Sequence, residues 1–303
     1  MNPRDTNEQV SEYWSASSPT WFGAASYWLA HPVVAARYQS RIVQPGADKH
    51  WVNHTVNSFL RPRGAKRVLS IGCGRGDLER HLLAVDPSLE IEAIDCASDS
   101  VEAARAAARE GGLNIEYRVG DAESADYEGQ YDATFFDASL HHMFDVGAML
   151  DRVSDLSKPG ALIILNEYIG PNFFSLSTRE LELHQAAFSL LPPQLRRDCI
   201  AREPFIRSEP AIPTPAEVRA DDPSEGVFAE QIMPDFLERF DVLQSSDPGG
   251  SLLHFCLNQV VGNFTPQAPM AVESLQMLFE IEDWLVESGQ LRQQFVYAVG
   301  CVR

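Results

Sequence analysis

Three glycines in the register Gly72-x-Gly74-x-Gly76 follow an apolar run, and a single acid, Asp95, closes the next apolar run nineteen residues past the last of them. A strand that runs into such a turn and then a helix leaves N–H groups unpaired beside the positive end of the helix dipole. Glycines there let the chain turn sharply and let a ligand approach without a Cβ in the way. A carboxylate at the end of the neighbouring strand can accept bonds from both ribose hydroxyls. The chemistry implied is nucleotide-type cofactor binding. Dinucleotide sites place the third glycine one residue later. Position 77 holds Asp77 instead, and an acid at a helix start opposes a pyrophosphate. A cofactor with a ribose and an amino-acid carboxylate, but no phosphate, suits the turn better. A second chemically capable pair, His141-His142, follows a later apolar run. Histidine exchanges protons near neutral pH.

Alternating strands and helices must position these residues. Strands are expected over 67–71, 91–94, 115–119, 131–136 and 161–165, with helices over 77–85, 100–110 and 145–157 between them. Ser98 or Asp99 is the expected N-cap of the second helix, and Lys158-Pro159-Gly160 the stop of the third. Strand–helix alternation implies an α/β fold with a doubly wound, mostly parallel sheet and right-handed crossovers. Prolines crowd residues 192–223, which excludes a sheet centre and reads as an insertion over 171–235 lying above the pocket. A strand over 240–244, a late helix marked by Val272, Leu275, Leu278, Phe279 and Leu285, and a last strand over 294–302 complete the expected order. The helix stripe reads as a core face first and a dimerisation face second.

Residues 1–60 carry Tyr13, Trp14, Trp21, Phe22, Tyr27, Trp28, Tyr38, Trp51 and Phe59 at spacings that suit short helices. Packing against the main domain accounts for most of these rings. The alternative is a helical cap over a ligand pocket, in which Tyr27 and Trp28 would touch substrate. The expected organisation is therefore a cap over 1–60, a cofactor-binding domain over 61–170 and 236–303, and the insertion over 171–235.

The chain has 303 residues and a net charge of -19, with 43 acids against 24 bases. That balance argues against a phosphate-rich partner held on a broad basic surface, so no nucleic-acid partner is expected. Five scattered cysteines, an apolar-poor N-terminus and no membrane-length apolar run point to a cytoplasmic protein with no membrane partner, as a monomer or homodimer. His50 and His54 could share a helix face, but no cysteine or carboxylate joins them, and no metal is expected. Glu225 and Glu230 read as solvated charges of the insertion.

The chain resembles the class I S-adenosylmethionine-dependent methyltransferases, in a small-molecule, bacterial-like branch. Five segments carry the likeness in order: VLSIGCGRG (68–76), IEAID (91–95), GDAES (120–124), YDATFFDASLHHM (131–143) and KPGALIILNEY (158–168). The flanking segments HPVV (31–34), NEYIGP (166–171) and GGSLLH (249–254) also look like that branch. The resemblance implies a Rossmann-like seven-stranded sheet with an antiparallel last strand, and S-adenosylmethionine as cofactor. Gly72, Cys73, Gly74 and Gly76 would line its methionine end. Asp95 and Cys96 would meet the ribose, and Asp121 and Ala122 the adenine. Asp137 would lie beside the sulfonium. One departure is Ser70, where many members have an acid.

Methyl transfer to oxygen also needs a proton removed, which makes His141 or His142 the expected base of an O-methyltransferase acting on a small molecule. Glu167 and Tyr168, ending the fifth strand at the same sheet edge, are expected to contact substrate. Three alternatives remain: an N- or C-methyltransferase of a small metabolite, a cofactor-binding regulator without transferase activity, and a dinucleotide oxidoreductase, which the glycine register disfavours.

Overall fold

A computed structural model of the chain describes residues 13, 26–43, 49–203, 205–265 and 269–303. The expected rings Trp14, Trp21 and Phe22, and most of the first 25 residues of the expected cap, lie outside these residues.

Seven strands form one sheet: β1 (Arg67–Ile71), β2 (Glu90–Asp95), β3 (Ile115–Val119), β4 (Tyr131–Asp137), β5 (Ser157–Tyr168), β6 (Phe240–Ser246) and β7 (Phe295–Val302). Their order is β3-β2-β1-β4-β5-β7-β6. The first five pair in parallel, and β7 inserts antiparallel between β5 and β6. The α/β expectation and the antiparallel last strand both hold.

Period-two geometry sorts the strand residues into two apolar layers. Val68, Phe135, Leu162 and Ile164 face one layer, with Trp51, Val56, Leu60, Leu82 and Leu275. Leu69, Phe136, Ile163 and Leu165 face the other, with Met149, Leu150, Val153 and Phe236. Both faces of the central strands are covered, which is why they read as continuous apolar runs.

Several boundaries differ from expectation for local reasons. Helix Ser98–Glu110 starts behind Ala97, with neither Ser98 nor Asp99 as its cap. β5 begins before Lys158-Pro159-Gly160, because Ser157 pairs with Tyr131 and a register shift between Tyr131 and Ala133 absorbs the proline. In the proline-rich stretch, Pro215 opens helix Pro215–Asp221, where a missing N–H costs nothing, and Thr214 with Glu217 forms a capping box. In helix Pro269–Glu287, Leu275, Leu278 and Leu285 are buried as a core face requires, while Val272 is 49% exposed.

The parallel strands all deliver their carboxyl ends to one edge. Gly72 follows β1, Asp95 ends β2, Asp137 ends β4, and Glu167 and Tyr168 end β5. Ligands of open α/β sheets bind outside that edge.

Candidate cofactor and proton-transfer site

The glycine turn is pinned to the end of β2. Gly72 and Cys73 donate to the Ile94 carbonyl at 2.9 and 3.1 Å. Asp95 then ties the turn from the other side: Oδ2 accepts from Gly74 N at 2.7 Å, and Oδ1 from Ala97 N at 2.8 Å. Burial raises the Asp95 carboxyl, and these two backbone bonds oppose the rise. All three glycines have positive φ, but they do different work. A Cβ on Gly74 would meet nothing within 4 Å, so this position opens on the cleft. A Cβ on Gly72 would strike the Ser139 Cβ at 2.3 Å. A Cβ on Gly76 would strike Tyr117 Oη at 2.3 Å and Ala104 Cβ at 2.9 Å. Gly72, Cys73 and Gly74 line the cleft, while the Cβ position of Gly76 faces protein. Gly76 permits close packing of the turn on β3 and on helix Ser98–Glu110. The Cys73 thiol lines the cleft, and burial pushes its pKa far up, so it stays protonated.

At the ends of β4 and β5 the chain builds a buried cluster of titratable side chains. Ala138 takes φ 51°, a left-handed conformation costing about 1–2 kcal/mol for a residue with a Cβ. That turn aims two N–H groups at one acceptor. Glu167 Oε1 accepts from Ser139 N at 2.8 Å and from Leu140 N at 2.7 Å, while Oε2 meets His141 Nδ1 at 2.6 Å. The Glu167 side chain is 0% exposed and fully used, so it orients His141 instead of reaching for substrate. With two N–H groups donating to Oε1, Oε2 is the oxygen left to accept from His141, which therefore carries its proton on Nδ1. Burial alone would lower the His141 pKa. The charge of Glu167, then those of Glu225 and Asp222, outweighs burial and raises it. Nε2 is left as the acceptor, on a ring that lines the cleft.

His142 differs. Its Nδ1 lies 2.9 Å from Ser224 Oγ, whose single proton goes to Asp222 Oδ1 at 2.6 Å, so Nδ1 must donate. Burial and the neighbouring His141 push its pKa well down, and it stays neutral. Glu225, expected to be a solvated charge, lies 3.6 Å from His141 Nε2 and 4.0 Å from His142 Nε2. Burial raises its carboxyl to about 7. The turn Asp222-Pro223-Ser224-Glu225-Gly226, with Gly226 at φ 61°, brings these groups in. That signal was present in the sequence, but its destination depends on the tertiary fold. Glu230 is exposed and pairs with Arg292. One atom from each of His141, His142 and Glu225 falls within 4.8 Å of the others, a spacing that could also hold a metal ion. His50 and His54 do not converge. His50 lies against His81, and His54 bonds Gln244.

Asp137 accepts from Asn166 Nδ2 at 2.7 Å, and Asn166 Oδ1 accepts from Tyr38 Oη at 2.6 Å. Burial pushes the Asp137 carboxyl up to about 6; the Asn166 bond opposes this and the Glu167 charge adds to it. Asn166, Ser139, Ser224 and Asp222 were not singled out from sequence, and Tyr38 was named only as one of the rings of the first segment, because their contacts join distant segments. Asp121 turns its carboxylate onto Glu123 N and Ser124 Oγ, fixing the loop after β3. Asp121, Ala122, Cys96, Tyr27, Trp28 and Tyr168 all line the same cleft. Trp28 is 1% exposed and packs against Tyr38 and Phe295, and Tyr168 Oη donates to the Pro171 carbonyl. Both rings are thus walls more than free ligand contacts.

The cleft is about 1490 Å³. Sites for a single drug-sized ligand run about 300–1,000 Å³, so there is room for a cofactor and a second molecule. Among its described lining residues the only lysines or arginines are Arg75 and Arg207. A phosphate-poor cofactor with a ribose fits these residues: Gly74 leaves its approach open, Asp95 stands at the strand end, and no cationic cradle awaits a pyrophosphate.

Residues 68–160 match the family model described as a methyltransferase domain. A ubiquinone biosynthesis O-methyltransferase from Xanthomonas axonopodis pv. citri is 34% identical over 113 residues, covering 37% of this chain and 46% of that protein. One from Bordetella parapertussis is 30% identical over 118 residues, covering 38% and 46%. The chain spans about half the length of these curated relatives. Among solved structures, the [4+2]-cyclase SpnF aligns over 98% of this chain and 96% of its own, with a TM-score of 0.50 and 15% identity, a likeness of fold. With the strand order, the glycine turn and Asp95 in place, residues 68–160 form a methyltransferase domain similar to those of the class I S-adenosylmethionine-dependent enzymes.

Proposed function

We propose that this chain transfers a methyl group from S-adenosylmethionine to an oxygen of a small molecule, with His141 taking the hydroxyl proton. The observation that carries the reading is the buried Glu167–His141 pair, which opens on the same cleft as Gly74 and Asp95. S-adenosylmethionine supplies a methyl group already activated on a sulfonium. The protein's work is then positioning, exclusion of water and removal of a proton. His141 Nε2 accepts the proton, Glu167 stabilises the imidazolium that results, and Glu225 faces the same nitrogen. His142, neutral and held by Ser224, positions and walls the site. The matched relatives are named as O-methyltransferases, which supports oxygen as the acceptor atom.

The acidic lining, which includes Asp222 and Glu225, favours a neutral or cationic acceptor over an anionic one. Cleft-lining Tyr27 and Trp28 from the first segment, and Arg207, Val218 and Glu225 from the proline-rich one, support the assignment of 1–60 as a cap and 171–235 as a roof over the domain formed by 61–170 and 236–303. Tyr27, Trp28 and Tyr168 would face the acceptor as apolar walls. No helix among the described residues is long and apolar enough to cross a membrane.

The test is methyl transfer from labelled S-adenosylmethionine to a panel of phenols, sugars and carboxylic acids. The reading expects a hydroxyl acceptor and a loss of more than about tenfold with His141→Ala. Cofactor binding without transfer to any acceptor would favour a regulator, and transfer only to nitrogen would sink the oxygen assignment. A second reading, a divalent cation held by His141, His142 and Glu225, rests on their convergence. Turnover lost to a chelator and restored by the cation would replace the base with that cation.

A further inference from the structure

Position 70, an acid in many of the methyltransferases this chain resembles, is a serine here, and a glutamate from the following helix bonds to it. Ser70, in β1, is 1% exposed and donates its hydroxyl to Glu79 Oε1. Glu79 lies in the first turn of helix Asp77–Val85, directly after the glycine turn, and is 0% exposed. Its second oxygen, Oε2, is buried and has no hydrogen-bond partner. Leaving a buried carboxylate oxygen unpaired is costly, more so than for a neutral group. The neighbouring cation does not serve it: Arg80 turns away to Asp77 and to the Arg75 carbonyl. Ser70 and Glu79 both line the cleft beside Gly72, Cys73 and Gly74. A carboxylate is therefore held in place by a buried serine beside the glycine turn, with one oxygen still without a donor.

We infer that Glu79, through Oε2, is the anchor for the α-ammonium group of the cofactor's amino-acid half. This rests on the S-adenosylmethionine reading above. An ammonium brings three N–H donors and a full positive charge, which satisfies the orphaned oxygen and offsets the burial of the carboxylate. Asp137 faces the same end and adds negative potential, and burial drives both acids upward, Glu79 to about 7 and Asp137 to about 6. A bound cation would bring both back down. The motif is then distributed: a serine on the strand holds a glutamate on the helix, nine residues on.

The test is calorimetric and needs no turnover. S-adenosylhomocysteine and its analogue lacking the α-amino group are titrated into wild type and Glu79→Gln. Wild type should bind the deaminated ligand about 10- to 100-fold more weakly, the span of a charge-assisted hydrogen bond. Glu79→Gln should weaken S-adenosylhomocysteine by a similar factor and leave the deaminated ligand within about twofold of wild type. Equal affinity of wild type for both ligands overturns the assignment even if the variant does not fold. So does a Glu79→Gln protein that loses both ligands alike or neither. Wild type that binds no adenosyl ligand at all overturns the cofactor reading itself, and this inference with it.

Discussion

Glu167→Gln tests the proton-transfer role proposed for the Glu167–His141 pair with almost no change of shape. Glu167 Oε1 receives two backbone N–H groups, at 2.8 and 2.7 Å, so a glutamine there must keep its oxygen at that position. Its NH₂ then lies against His141 Nδ1, 2.6 Å away in the wild type, and two donors cannot face each other. The imidazole proton moves to Nε2, and the nitrogen that faces the cleft stops being an acceptor. Removal of a general base costs about 10²- to 10⁴-fold, so kcat should fall within that range. The second consequence is a shift in pH dependence. A base must be neutral to act, and the wild-type His141 pKa is raised, so kcat should climb with pH through a limb above 6.5, the ordinary histidine value. Without the Glu167 charge, burial dominates and the limb of any residual activity moves down. The structural cost is bounded. Three charge-assisted bonds each weaken by about 1 kcal/mol, partly offset by no longer burying a charge, for at most about 3 kcal/mol. The assay is a steady-state pH profile beside calorimetric binding of S-adenosylhomocysteine, which should stay within about threefold of wild type. A variant with wild-type kcat, or one whose acid limb does not move, refutes the reasoning.

Other expected outcomes follow from the same contacts. His142→Ala should lower kcat by less than about tenfold, because His142 is held neutral by burial and bonded to Ser224; if it outranks His141→Ala in the same assay, the roles are reversed. Gly76→Ala should lower unfolding free energy by about 2–5 kcal/mol in urea titration, summing left-handed strain and overpacking against Tyr117, whereas Gly74→Ala, facing open space, should cost only about 1–2 kcal/mol. Asp137, Glu79 and Glu225 have folded pKa values raised to about 6, about 7 and about 7. For an acid so raised, the folded state binds more protons than the unfolded chain, so stability falls as pH rises from the ordinary carboxylate range through those values. Ligand-free protein should therefore melt at a lower temperature at about pH 8 than at about pH 5.5, and a flat or rising Tm across that window would contradict the assigned burial.

The sheet was legible because its strands are buried on both faces and its turns are punctuated by glycine and proline. The glycine turn was legible because Gly72, Gly74 and Asp95 shape it through local backbone geometry, which spacing encodes. For Gly76 spacing says less: left-handed φ marks a turn but does not say what fills the space beside it, which here is Tyr117 and Ala104. Glu225 and Glu79 were not legible as site residues, since a glutamate in a loop or helix is usually solvated. Only the fold brings one to His141 and the other to Ser70. The prolines of 192–223 excluded a central strand, as expected, yet hid the capped helix Pro215–Asp221, because proline at a helix start and proline in a loop look alike without knowledge of the next turn.

The most direct measurement of the central claim is a calorimetric titration of S-adenosylhomocysteine into wild type and Gly74→Arg, with circular dichroism confirming that both are folded. The account predicts one-to-one binding by wild type and none by Gly74→Arg, whose side chain would fill the open approach beside Asp95. Folded wild type that takes up no ligand, or a folded Gly74→Arg that binds as tightly as wild type, would contradict it.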